Sequence, residues 1–193
     1  MRALRLALIA AALVAGLANA SPTAPRDGAD FTTLATPQPM TPMDAYEAAT
    51  KYFEKKHRDV GVWLDTAQGQ INGAVSAPHL RPHAAFNIHQ AVEAAYACFL
   101  LVHTFYFPRS HNIKFLRSLA EDVDTRLVEA WPREQRTDRR RLELLKRAYV
   151  EARYSDQYDA SAEDLDWLTA RARILRDLVA NLCQSRIAEL KSK

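Results

Sequence analysis

Residues 86–113 read FNIHQAVEAAYACFLLVHTFYFPRSHNI. From Ala91 to Val102 only Glu93 is polar, whereas a helix at a protein surface keeps one polar face. A helix that is apolar all round is the hub of a bundle. Its flanks differ: His89 and Gln90 open it, and His111 and Asn112 follow its exit, residue types that burial alone does not select. Pro82 suits a first helical turn and Pro108 cannot continue a helix, so the hub spans about Pro82 to Phe107.

Working outward, the apolar residues recur every three or four positions and no strand alternation is evident. Upstream, Tyr46, Ala49, Phe53, Val60, Trp63, Leu64, Ala67, Ile71 and Ala74 make one face of a helix over Met43 to Ala74. Gly61, Gly69 and Gly73 interrupt it at about 1 kcal/mol each relative to alanine, which predicts a break or kink near Gly69. Downstream, a short helix capped by Ser110 or Asn112 turns Ile113, Leu116 and Leu119 inward. Leu127, Val128 and Trp131 form a further turn. A fourth helix spans Thr137 to Tyr154 on Leu142, Leu145, Tyr149 and Ala152. The fifth begins at Ser161, where S-x-x-D with Asp164 has the form of a capping box, and carries Leu165, Leu168, Ala172, Leu175, Val179, Leu182 and Leu190. Short connections between long helices make neighbours antiparallel. The fold class is all-α, an up-and-down bundle of four to five helices occupying residues 43–193.

The chain has 193 residues, of which 48 % are hydrophobic and 25 % charged. That is about one globular domain with an added segment. The segment is N-terminal: Arg2 and Arg5, an apolar run from Leu6 to Leu17, and Ala18-Asn19-Ala20 have the layout of a secretory signal peptide over residues 1–20. The run is too short to span a bilayer. Residues 21–42 hold Pro22, Pro25, Pro37, Pro39 and Pro42, a composition that cannot bury enough apolar surface to fold by itself, and read as a linker. The formal charge of +3 drops further without Arg2 and Arg5, so bulk charge does not argue for nucleic acid. Export implies a periplasmic or secreted protein; translation from Met40 or Met43 implies a cytoplasmic one.

Three local motifs go beyond periodicity: A-F-x-x-H-Q-A-x-E at Ala85 to Glu93, F-P-R-S-H-N-I at Phe107 to Ile113, and Y-x-E-A-R-Y at Tyr149 to Tyr154. In this order and spacing, over roughly Tyr46 to Ile187, the chain resembles the HEPN family. That family is associated with nucleotide binding; the protein sacsin ends in such a domain, and bacteria often encode one beside a minimal nucleotidyltransferase. The resemblance implies a homodimer and a nucleotide or RNA ligand, with no cofactor. Many HEPN proteins are ribonucleases using an Arg-x4-6-His motif. Here Arg153 occupies the matching neighbourhood, but the last histidine of the chain is His111 and no arginine has a histidine five to seven residues later. A phenol such as Tyr158, with an ordinary pKa of about 10, is a poor substitute base. The expectation is a non-catalytic domain.

Several side chains remain as candidates. Arg153 and Tyr154, with Lys146 and Arg147 upstream, are suited to a phosphate, although a nearby carboxylate, Glu151 or Asp156, serves an arginine equally. His111, Lys114 and Arg117 surround a helix start that either holds an anion or is capped by its own side chains. His89, Gln90 and Glu93 are expected to satisfy one another or a backbone carbonyl within the core. The run Arg133, Arg136, Arg139, Arg140, Arg141, Lys146 and Arg147 lacks interleaved aromatics and reads as a solvated helix face. His79 and His83 lack further ligands, so no metal site is expected. Cys98 and Cys183 lie beside apolar stripes, as buried thiols or, in an exported chain, one interhelical disulfide.

Overall fold

A computed structural model describes residues 39–192. The expected leader at residues 1–20 and the linker up to residue 38 lie outside the described residues. The described chain is helical without strands: α1 Pro42–Gly73, α2 Leu80–Thr104, α3 Ile113–Val123, a 3-10 segment Thr125–Ala130, α4 Arg136–Tyr154 and α5 Ala162–Lys191.

Local chemistry sets these boundaries. The Thr41 hydroxyl accepts from the Asp44 amide and the Asp44 carboxylate accepts from the Thr41 amide, closing a capping box ahead of Pro42 at the first helical position. The last two residues expected in the linker thus belong to the helix entry. α1 then runs past Gly61 and Gly69 without the break expected there. Its packing along α2 and α5 outweighs the intrinsic glycine cost. Gly73 has a separate reason: a Cβ there would lie 2.8 Å from Leu80 Cδ1, so glycine lets the start of α2 approach the end of α1.

α2 ends at Thr104, three residues before the expected Phe107. Phe105 adopts the left-handed conformation at φ 56° and its amide donates to the Leu101 carbonyl, a helix stop that precedes any effect of Pro108. Asn112 rather than Ser110 caps α3, its side chain accepting from the Lys114 and Phe115 amides.

The four long helices alternate in direction. Asn87 donates to Gln70 at 2.7 Å beside the α1–α2 connection; Tyr149, late in α4, meets Phe86 and His89, early in α2; and Arg173 of α5 donates to Gln68 of α1. Between α2 and α4 the chain doubles back over Phe105 to Asn112, bringing His111 level with Glu93 of α2. α2 touches every other α-helix, and Ile88, Val92, Tyr96 and Phe99 are fully enclosed. It is long and apolar enough to cross a membrane, but most of that surface is covered inside the bundle. Each such large side chain contributes about 1.5–3 kcal/mol on burial. In the core, Trp131 Nε1 donates to the Tyr96 hydroxyl at 2.9 Å, which satisfies both groups.

Polar stitching joins α4 to α5. Ser161 caps α5 as expected, but the Asp164 carboxylate does not reach back to complete the box: it accepts from Arg140 and from Arg141, whose Nε lies at 3.0 Å. Arg141 and Asp164 are 8 % and 4 % exposed, which corrects the solvated-face reading at Arg141, whereas Arg133, Arg136, Arg139, Arg140 and Arg147 are exposed. Cys98 and Cys183 are fully buried free thiols, and contact with Cys98 together with burial pushes the Cys183 thiol up from its ordinary pKa.

Candidate functional site

Three separated stretches converge at one end of the bundle. Phe86, His89 and Glu93 lie on successive turns of α2, since residues three and four apart share a helix face. His111 arrives from the doubled-back segment, and Tyr149 with Arg153 from the last turns of α4, again four apart.

Tyr149 is the centre of this group. The His111 ring stacks on it with centroids 4.1 Å apart and planes 15° from parallel, while His89 lies 5.4 Å away in a tilted contact. The Arg153 guanidinium carbon sits 4.6 Å from the Tyr149 ring centroid, 4.9 Å from that of Phe86 and 5.0 Å from that of Tyr154. Such distances fall within cation–π range. Arg153 Nε donates to the Tyr149 carbonyl at 2.8 Å, which leaves its terminal nitrogens without a carboxylate partner among the described residues. Neither carboxylate expected as its competitor takes it: Glu151 accepts from Arg147, and no Asp156 ion pair is found among the described residues.

Glu93 grips His111, its two oxygens 2.9 and 3.1 Å from Nδ1. A carboxylate only accepts, so Nδ1 carries the proton and a neutral ring keeps Nε2 as its free acceptor. A carboxylate that orients an imidazole in this way prepares it for proton transfer. His111 keeps about half of its side-chain surface in solvent, at 52 %.

His89 departs from the expected satisfied core histidine. Its residue surface is fully enclosed, and among the described residues both ring nitrogens, and Gln90 Oε1 beside it, have no hydrogen bond of good geometry. Glu93 comes only to 4.0 Å. Burial pulls the imidazole down from its usual pKa to about 4; the nearby Gln90 side chain and His111 backbone work against this, and the charges of His111 and Arg153 add to it. His89 is thus a neutral ring under the aromatic group, positioned by α2 rather than by polar bonds.

Of the expected phosphate ligands, the fold assembles His111, Arg153 and the 77 % exposed Tyr154. The others sit elsewhere. Lys114 and Lys146 both pair with Glu143, Arg147 pairs with Glu151, and Arg117 is buried against Glu121 and the Trp131 carbonyl. Glu93, expected in the polar core, is a member of the site. Tyr149 and Phe86 appeared in the sequence as a core-stripe residue and a motif residue; the four-residue spacings of Glu93 from His89 and of Arg153 from Tyr149 were the available signal. Among the described residues no three His, Cys, Asp or Glu side chains gather as metal ligands.

Comparison with known families agrees with this architecture. A family model described as the HEPN domain matches residues 62–182, a span containing every member of the cluster. No curated protein matches the chain.

Proposed function

We propose, from the premise that this chain belongs to the HEPN domain family, that the cluster centred on Tyr149 binds the phosphate of a nucleotide or RNA without cleaving it. The observation that carries this reading is the Arg153 guanidinium, laid over three aromatic rings with its terminal nitrogens unclaimed by any carboxylate among the described residues. A guanidinium held flat presents two parallel donors that match phosphate oxygens. Exposed Tyr154 adds a face on which a base can stack. Calorimetric titration of the full chain with ATP and with GTP tests it. Heat that disappears in Arg153→Ala is the expected result, and no heat with either nucleotide overturns it.

A second reading, RNA cleavage at an atypical centre, is favoured by the Glu93–His111 pair. His111 Nε2 would accept the proton of an attacking ribose 2′-hydroxyl while Arg153 neutralises phosphate charge. Labelled RNA distinguishes the two: cleavage abolished by both His111→Ala and Arg153→Ala makes the protein a ribonuclease, whereas binding without cleavage retains the first reading.

Cellular setting bears on both. A mature N-terminus at Ser21 supports an exported protein whose bundle acts as an interaction surface in the envelope. An N-terminus at Met40 or Met43 supports a cytoplasmic domain working with a separately encoded minimal nucleotidyltransferase, as a toxin–antitoxin-like pair. N-terminal sequencing of the native protein separates these, and sedimentation velocity tests the proposed homodimer.

A further inference from the structure

Apart from the Tyr149 cluster, the described residues enclose a cleft of about 360 Å³ between α3 and the chain entering α4, with Lys114, Arg117, Ser118, Glu121, Arg133 and Arg139 on its walls. Four of these six are cations and one is a carboxylate. Arg117 Nε donates to Glu121 at 2.7 Å, and Arg133 donates to the other oxygen of the same carboxylate. One negative charge is therefore shared by two guanidinium groups. Arg139 receives no carboxylate among the described residues: its Nη1 donates to the carbonyls of Arg133 and Glu134.

The arginines are also held in place. Arg117 is 8 % exposed, its Nη2 donates to the Trp131 carbonyl at 3.2 Å, and its Nη1 is the one guanidinium nitrogen left without a partner among the described residues. Fixed guanidinium groups lose little conformational freedom when they take up an anion. Their uncompensated charge favours a ligand carrying two negative charges over one carrying a single charge.

We propose that this cleft is a second anion site that takes a phosphoryl dianion, either free phosphate or the phosphate end of a small ester, independently of Arg153. Its volume is at the lower end of the range of small-molecule sites. Arg117 and Arg139 supply the charge, Lys114 beside them being paired with Glu143, which it shares with Lys146, and the exposed Ser118 stands at the wall with no hydrogen bond among the described residues.

Ser118 provides a test that leaves the arginine network untouched. The full-length chain carrying Arg153→Ala, which removes the other candidate phosphate ligand, is titrated with inorganic phosphate and with glycerol phosphate at constant ionic strength. Backbone amide shifts in α3 are followed by NMR. The expected result is saturable shifts with either probe, the tighter probe naming the source, and a dissociation constant raised about tenfold or more by adding Ser118→Asp, which sets a like charge against the anion. Circular dichroism checks that the double variant stays folded, and Ser118→Ala is expected to bind within about threefold of the parent because a hydroxyl contributes little to charge. Shifts that fail to saturate, or that Ser118→Asp leaves unchanged, overturn the proposal. Loss of nucleotide heat in Arg153→Ala is measured separately, so either site can fail without the other.

Discussion

His111 and Arg153 reach the same aromatic ring from distant parts of the chain: His111 stacks on Tyr149 at 4.1 Å and Arg153 lies 4.6 Å from the centroid of that ring. The sequence has no histidine after Arg153, yet the fold restores an imidazole to its vicinity. This neighbourhood depends on Glu93, which holds the doubled-back segment against α2.

Glu93→Gln keeps the size of the side chain and removes the charge that orients His111. Its stability is expected to fall by only about 1 kcal/mol, because the pair is partly solvated. Nucleotide heat should weaken but persist. If RNA cleavage is found instead, Glu93→Gln should lower kcat more than it raises KM, since it acts on the orientation of the base rather than on ground-state binding.

Arg153→Ala separates function from stability. The guanidinium is exposed and its aromatic contacts are worth about 1 kcal/mol or less at such a site. Thermal unfolding should therefore change little while nucleotide binding disappears; a drop in Tm of more than about 8 °C would make Arg153 a structural residue.

The enclosed His89 predicts a pH dependence. Its folded pKa of about 4 lies below the ordinary 6.5, so between these values the unfolded chain takes up a proton that the folded chain refuses. Stability is therefore fully present above about pH 6.5 and is lost as pH falls toward 4, by at most about 3 kcal/mol from this residue. Urea midpoints measured across that window should slope less in His89→Leu than in the parent. A residual slope is expected from His103, which burial also lowers to about 4.

The α4–α5 ion cluster is asymmetric. Without Asp164, the buried Arg141 retains only the exposed Glu163; without Arg141, Asp164 keeps Arg140 and the Ser161 cap. Burial works against ionised Asp164, yet hydrogen bonds from Arg141, Arg140 and Ser161 hold its carboxyl below the usual range. Asp164→Ala is thus expected to cost about 3 kcal/mol and Arg141→Met distinctly less, as read from chemical denaturation.

The glycines of α1 should not behave alike. A Cβ at Gly61 or Gly69 meets nothing within 4 Å, so alanine at either position should stabilise by about 0.5–1 kcal/mol. Gly73→Ala presses on Leu80 Cδ1 at 2.8 Å and should gain less than either, or lose stability, because Leu80 has to move.

The sequence by itself determined the helical class, the hub and the family. Those properties are local or periodic: an apolar run around α2, stripes at helical spacing, and three motifs in order. Boundaries were less legible where one residue's backbone conformation decides them, as at Phe105, whose left-handed turn no residue type announces. Which charges are free was decided partly by helix spacing, which sets Arg117, Lys146 and Arg147 three or four residues from a carboxylate, and partly by tertiary structure, which brings Lys114 to Glu143. Arg153 has Glu151 and Asp156 as near in sequence, yet among the described residues it pairs with neither. Tertiary structure also decided that His89 is enclosed without a hydrogen bond of good geometry among the described residues, and that His111 lies by Arg153. The physical reason is that helical periodicity fixes which residues share a face, whereas the path of a non-periodic segment such as Phe105 to Asn112 follows from packing against helices distant in sequence.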